Sequence, residues 1–239
     1  MSGTIAKLGL IKKGVVIVSS MTTKKVTCPK CGAESEIKVY KTVNPTTDPA
    51  YREQLLNGEL LKFTCDKCGG VAQLRYPLLY NDMKNNFMVY YIPEIDRETL
   101  TDEVLEREYG DLEGITRRLV PGYNELKEKI HIFEANLDDK VIEVVKAALK
   151  DVVEKRTGEE VTGGYFSKYS VAEDRIGFTF FVGDEGEQFV QTTRLEIYNK
   201  SAAVAAAEPA DPADRQFFLI DRTWARSALY KYKKSKAAM

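Results

Sequence analysis

The chain has a single histidine, His131, and only four cysteines in 239 residues. One imidazole without a nucleophile or carboxylate motif beside it gives no signature of a Ser–His or Cys–His catalytic pair, so His131 reads as a surface or boundary residue of a helix. No run approaches the about 18 uninterrupted apolar residues of a membrane span. Near the start, Leu8-Gly9-Leu10-Ile11 is cut by Lys12-Lys13 before residues 15–18 resume, which breaks the about 7–15 apolar residues that a secretory signal needs. Residues 1–21 therefore read as a disordered or mis-annotated leader, with Met21 as the natural start. An excess of one charge is also lacking: 35 Lys and Arg stand against 36 Asp and Glu, so the whole chain has no bias toward polyanions. Gly163-Gly164 lacks the frame of a phosphate loop and precedes a strand pattern. These absences point to a cytoplasmic protein with no membrane partner; whether it is an enzyme stays open, with a non-enzymatic role favoured because no catalytic signature is present.

All four cysteines fall into C-x-x-C-G units, Cys28-Pro29-Lys30-Cys31-Gly32 and Cys65-Asp66-Lys67-Cys68-Gly69. Two such turns deliver four thiolates as two pre-bent pairs, which is what a tetrahedral metal ion requires. Each Gly can take the positive φ of a tight turn and leave backbone N–H groups aimed at sulfur. Three readings compete: one structural zinc per chain held by Cys28, Cys31, Cys65 and Cys68, a redox dithiol, and disulfides. A redox C-P-x-C wants a helix N-terminus after it, whereas a strand-like stretch follows Gly32. Disulfides suit a secreted chain. Structural zinc is the favoured reading, and four sulfurs leave it no open position for water.

Composition at 239 residues allows one or two domains with real cores. The pattern predicts an α+β fold in five parts. Residues 22–95 form a zinc-ribbon-like module. In it, the 33 residues from 32 to 64 make a strand–helix–strand insertion: Ile37 and Val39 alternate on a strand, Asp48 caps a helix that opens on Pro49, and Asn57-Gly58 stops it. Residues 71–80 and 87–92 then read as a hairpin around Asn81-Asp82 and Asn85-Asn86. Residues 96–122 are an acidic linker or helix. Residues 123–221 begin with a helical hairpin, its first face marked by Leu126, Ile130, Phe133 and Leu137 and its second helix opened by Asp138-Asp139. An antiparallel β-rich segment follows, with strands over 165–171, 176–182 and 189–198, a loop over 201–214 and a last strand over 217–220. Residues 222–239 are a basic tail.

From Cys28-Pro29-Lys30-Cys31 through Asp48-Pro49, Leu55-Leu56-Asn57-Gly58-Glu59-Leu60 and Phe63-Thr64-Cys65 to Cys68-Gly69, the chain resembles the CpXC-domain proteins of prokaryotes. The resemblance extends to the stretch from Tyr76 to Met83 and to Asn124-Glu125-Leu126-Lys127-Glu128-Lys129, and so covers roughly residues 24–150. It implies zinc binding in an intracellular protein and carries over no catalytic residue.

Three functions remain open. The first is a zinc-stabilised, non-enzymatic binding or regulatory protein that acts through a protein partner. The second is nucleic-acid binding through the basic tail, where Arg222, Arg226, Lys231, Lys233, Lys234 and Lys236 are interleaved with Trp224, Tyr230 and Tyr232 and no acid is present. Against it, residues 22–95 hold only ten Lys and Arg against eight Asp and Glu, far from a strongly basic module. The third is a C-x-x-C thiol oxidoreductase.

Overall fold

A computed structural model describes residues 17–93, 113–208 and 216–237. The fold is mixed α+β, with ten strands and five helices among those residues. Among them, no helix is long and apolar enough to cross a membrane.

Strands β1 (Ser20–Thr27), β2 (Glu34–Val43), β5 (Leu78–Asp82), β6 (Phe87–Tyr91) and β7 (Thr116–Val120) form one sheet in that order. The β1–β2 and β5–β6 pairs are antiparallel, and β2–β5 and β6–β7 are parallel. A parallel pair needs a crossover connection. For β2–β5 it consists of helix α1 (Pro49–Asn57) and the two-stranded β3 (Lys62–Thr64) and β4 (Val71–Gln73). The hairpin turn between β5 and β6 is set by Asp82, whose Oδ1 accepts the N–H groups of Lys84 and Asn85 at 3.1 Å each, and by Asn86 at φ 56°.

Every residue of β5 is buried, because both faces of the sheet are covered. On one face, Leu78, Tyr80, Phe87 and Val89 pack with Leu55 of α1 and with Leu126 and Ile130 of helix α2 (Tyr123–Glu134). On the other, Leu79 and Met88 pack with Ile115, Leu119 and Phe217. A second sheet, β8 (Val161–Ser170), β9 (Arg175–Val182) and β10 (Glu187–Arg194), is an antiparallel meander with β9 in the middle. Its core joins Phe166, Ile176, Phe178 and Phe180 to Ile132 of α2 and to Ile142, Val145 and Val153 of helix α3 (Asp139–Thr157). Burying such side chains contributes about 1.5–3 kcal/mol each. Helix α2 thus lies between the two sheets, and Phe133 touches both cores.

Several expectations need correction. Ile17, Ser19, Ser20 and Met21 are not a disordered leader: Asn44 donates to the Ile17 carbonyl at 2.6 Å and to Ser19 Oγ at 2.9 Å, and Ser20 opens β1. Residues 1–16 lie outside the described residues. Within the stretch read as an acidic linker, Thr116–Val120 forms β7, an edge strand with Arg117, Arg118, Leu119 and Val120 buried; residues 96–112 lie outside the described set. Asp48 stands at the N-cap of α1 but caps nothing with its side chain, which accepts from Thr47 Oγ1 at 2.7 Å. Asp138 does cap α3, accepting from the Lys140 N–H at 2.8 Å. Helix α2 ends at Glu134, and Leu137 enters the second core after Asn136 turns the chain at φ 55°. The expected strand over 189–198 ends at Arg194, where helix α4 (Leu195–Ala205) begins and overrides the expected loop. Its Ala202, Ala203 and Ala205 favour helix. Residues 217–220 add only one bridge, Phe218 to Arg118. The basic tail is a helix, α5 (Arg222–Ala237), seated on α3 and α4 through Ala225, Ala228 and Trp224.

Candidate metal centre

The structure brings the four cysteines together: their Sγ atoms all lie within 4.8 Å of one another. Cys28 and Cys31 sit in the turn joining β1 to β2, and Cys65 and Cys68 in the turn joining β3 to β4. The two turns are built alike. In the first, Cys28 N–H donates to Ala33 O at 2.8 Å and Gly32 N–H to Cys28 O at 2.9 Å; in the second, Cys65 N–H donates to Gly70 O and Gly69 N–H to Cys65 O, both at 2.8 Å. Gly32 at φ 71° and Gly69 at φ 65° supply the left-handed residue that lets each turn close. Beneath them Phe63, Val26, Ile37 and Leu74 make a small apolar core with the buried Cys28 and Cys65.

Sulfur-to-sulfur distances test whether a metal fits. Cys28 and Cys68 are 3.7 Å apart, as are Cys31 and Cys65. With metal–sulfur bonds of about 2.3 Å, a regular tetrahedron has an edge of about 3.8 Å, so both cross-pairs stand at the spacing of ligands on one ion. A disulfide would need about 2.05 Å, and all four thiols are free.

The electrostatics agree. Backbone N–H groups of Cys31 and Lys30 pull the Cys28 thiol down to about 6. At Cys68 the Gly70 N–H, 3.4 Å from sulfur, acts in the same direction, but the neighbouring thiols and burial outweigh it and push that thiol up to about 12. Cys31 is likewise raised: the Ala33 N–H and Cys68 favour its thiolate, and burial, Cys28 and Cys65 overcome them. One thiolate forms readily, and further negative charge in so small a space needs a cation to offset it. The four-cysteine group could hold a metal ion.

A family model described as CpXC protein matches residues 26–146, just over half of the chain and both cysteine turns. The chain belongs to the CpXC protein family. No curated protein and no solved structure matches it.

The match ends inside α3, and in that part this CpXC protein carries a second polar cluster that the hydrophobic repeat does not reveal. Arg118 of β7 forks onto Asp139, Nε to Oδ2 at 2.8 Å and Nη2 to Oδ1 at 2.9 Å. Lys129 Nζ reaches Asp139 Oδ2 at 2.8 Å and Glu143 Oε1 at 3.4 Å. Lys146 Nζ sits 2.9 Å from both Glu128 oxygens and from Glu143 Oε1, while Glu128 Oε1 accepts the Phe166 N–H of β8 at 2.6 Å. Asp139 and Lys129 are each 1% exposed. Burial alone would raise the Asp139 carboxyl, but Lys129 and Arg118 hold it well below the usual range. Burial raises Glu128, and Glu128 and Glu143 overcome burial to raise Lys146. Helix α2 is covered on two sides, so its flanking polar residues are buried as well as its apolar stripe. A cue in sequence was the run of alternating charge at Glu125, Lys127, Glu128 and Lys129, which also fits a solvated face. His131 is exposed on α2, apart from both clusters.

Proposed function

We propose that this CpXC protein holds one zinc ion per chain on Cys28, Cys31, Cys65 and Cys68 and acts as a non-enzymatic binding or regulatory protein through a protein partner. The observation that carries the reading is the pair of 3.7 Å sulfur separations between the two turns. Four sulfur ligands suit zinc, fill its tetrahedron and leave no position for a substrate or an activated water. The ion then stabilises a fold, and thiolate–zinc bonding becomes folding free energy. A thiol oxidoreductase is less well supported, because a strand and not a helix follows Cys31. The cytoplasm, where thiols stay reduced, suits such a site.

Elemental mass spectrometry on protein purified without chelator, with thiols counted natively on the same sample, tests the metal. One zinc per chain with four protected thiols is the expected result. Little metal, with reactive or disulfide-linked cysteines, overturns it in favour of the oxidoreductase. Affinity capture with zinc-loaded protein, followed by reconstitution with the purified candidate, tests the partner. Failure of every captured protein to bind directly would remove that part of the reading.

A second reading, nucleic-acid binding, draws on α5. Arg226, Lys233, Lys234 and Lys236 are all exposed on it, and the helix carries no acid.

A further inference from the structure

A cavity of about 280 Å³ opens between α2, α3, β8 and residues 219–222 at the start of α5. It lies just under the about 300–1,000 Å³ of pockets for drug-sized ligands, so its scale is that of a small metabolite. Its apolar wall includes Val161, Ile220 and the Phe180 ring. Gly164 is what admits that ring: a Cβ there would lie 2.6 Å from Phe180 Cδ1. The lining also carries eight charged side chains, most of them already committed. Lys129, Lys146, Glu128 and Glu143 neutralise one another in the buried network. Lys150 pairs with Glu154, and Asp221 accepts the Trp224 N–H at 3.0 Å.

Two lining charges remain, of opposite sign. Arg222, exposed at the first residue of α5, has no ion pair or hydrogen bond among the described residues and acts on the Glu154 carboxylate only from a distance. Glu125, half-buried in the first turn of α2, has none either, and its carboxylate is folded over Gly122, where a Cβ would lie 1.8 Å from Oε2. A ligand with both charges could pair with each of the two, whereas one with a single charge could pair with only one. A committed floor, an apolar wall and two charges of opposite sign that have no ion-paired or hydrogen-bonded partner fit a small molecule that carries both charges and an apolar body.

We propose that this cavity binds a small zwitterion of the apolar amino-acid class, with its carboxylate on Arg222, its ammonium on Glu125 and its side chain against Phe180, Val161 and Ile220. The proposal is independent of the metal centre. It gives the part of the chain beyond the cysteine turns a ligand of its own.

Isothermal titration of the full, metal-loaded chain tests it with L-leucine and L-phenylalanine, and with L-leucinamide and N-acetyl-L-leucine as forms that lack one charge each. The expected result is saturable binding of at least one free amino acid, with each capped leucine weaker than L-leucine by about tenfold or more. Arg222→Gln should abolish the discrimination against the amide and leave that against the acetylated form. Glu125→Gln should do the reverse. A merely structural role would weaken all four probes together. Arg222 is exposed, so if Glu125→Gln fails to fold, the Arg222→Gln result decides alone. Absence of saturable binding by any probe into the millimolar range overturns the proposal. So does equal binding of free and capped leucine, or discrimination unchanged in Arg222→Gln.

Discussion

Asp139 is the residue on which most of the buried charge converges. It accepts from Arg118 and from Lys129, and nothing about its place in sequence beyond the start of a helix announces this. Removing one member of a buried ion pair strands its partner in low dielectric, which costs about 3–5 kcal/mol. Asp139→Asn should lower stability by that amount, because Lys129 keeps only Glu143 at 3.4 Å; chemical denaturation of both proteins reads the difference. The sign with pH follows from a folded carboxyl held low against an unfolded value of about 3.9. Its stabilising contribution is complete above that unfolded value and is lost as pH falls toward the folded one. Stability of the wild-type protein should therefore drop more steeply than that of Asp139→Asn as pH falls below about 4. Glu128, raised by burial, has the opposite sign, but it is common to both proteins, so the difference between the two curves isolates Asp139. Parallel curves would show that the pair carries no such linkage.

The two cysteine turns belong to different sheets, and this decides how far damage spreads. Cys28 and Cys31 join β1 to β2, whose far end is anchored on β5 through Thr42–Leu79 and Val43–Tyr80; Cys65 and Cys68 close the short β3–β4 pair. Cys28→Ser or Cys65→Ser should release metal and loosen the module locally. Hydrogen exchange should rise at β3, β4 and the tip of β1–β2, while β8, β9 and β10, which have their own core with α3, keep their protection. Retained metal with unchanged exchange would contradict the folding role. Gly32→Ala and Gly69→Ala meet no atom within 4 Å, so they test backbone strain alone. Each should cost about 1 kcal/mol for holding a Cβ in the left-handed region, read as a lowered denaturation midpoint. At this scale the sequence was most informative where chemistry is local. The C-x-x-C-G turns, the Asn85-Asn86 turn and the Asp138 cap each state their geometry within a few residues, whereas the strand expected over 71–80 splits into β4 and β5 of different sheets. It was least informative where tertiary packing decides: Thr116–Val120 becomes a strand by pairing with β6, and residues after Arg194 turn helical by seating on α3. Glu128 and Lys129 are buried only because two sheets close on one helix, a fact of assembly that no hydrophobic period encodes.

Across the whole molecule, charge is nearly balanced, yet α5 concentrates cations on one end of the fold. Its apolar side is fixed by Ala225 and Ala228, both fully buried against α3 and α4. Truncating residues 222–239 would thus remove packing as well as charge, and loss of binding in such a variant would have two explanations. Substitution on the exposed side separates them. Lys231 is already paired with Glu208 at 2.8 Å and Arg222 lines the cavity at the start of the helix, which leaves Arg226, Lys233, Lys234 and Lys236 as the cations free to meet phosphates. Tyr230 and Tyr232 have Lys234 and Lys236 lying 4.8 and 5.8 Å from their ring centroids, so base stacking would have to displace a cation and phosphate contact is the stronger term. For single strands the binding constant falls with salt by about 0.7 log units per log unit for each phosphate neutralised. If α5 holds RNA through those four cations, the slope for a single-stranded oligonucleotide should be about −3. Changing Lys233, Lys234 and Lys236 together to Gln should reduce that slope by about 2 without lowering the melting temperature, since all three are exposed. Fluorescence anisotropy over a salt series measures both quantities. No binding by the wild-type chain at low salt, or an unchanged slope in the triple variant, would exclude α5 as a nucleic-acid surface.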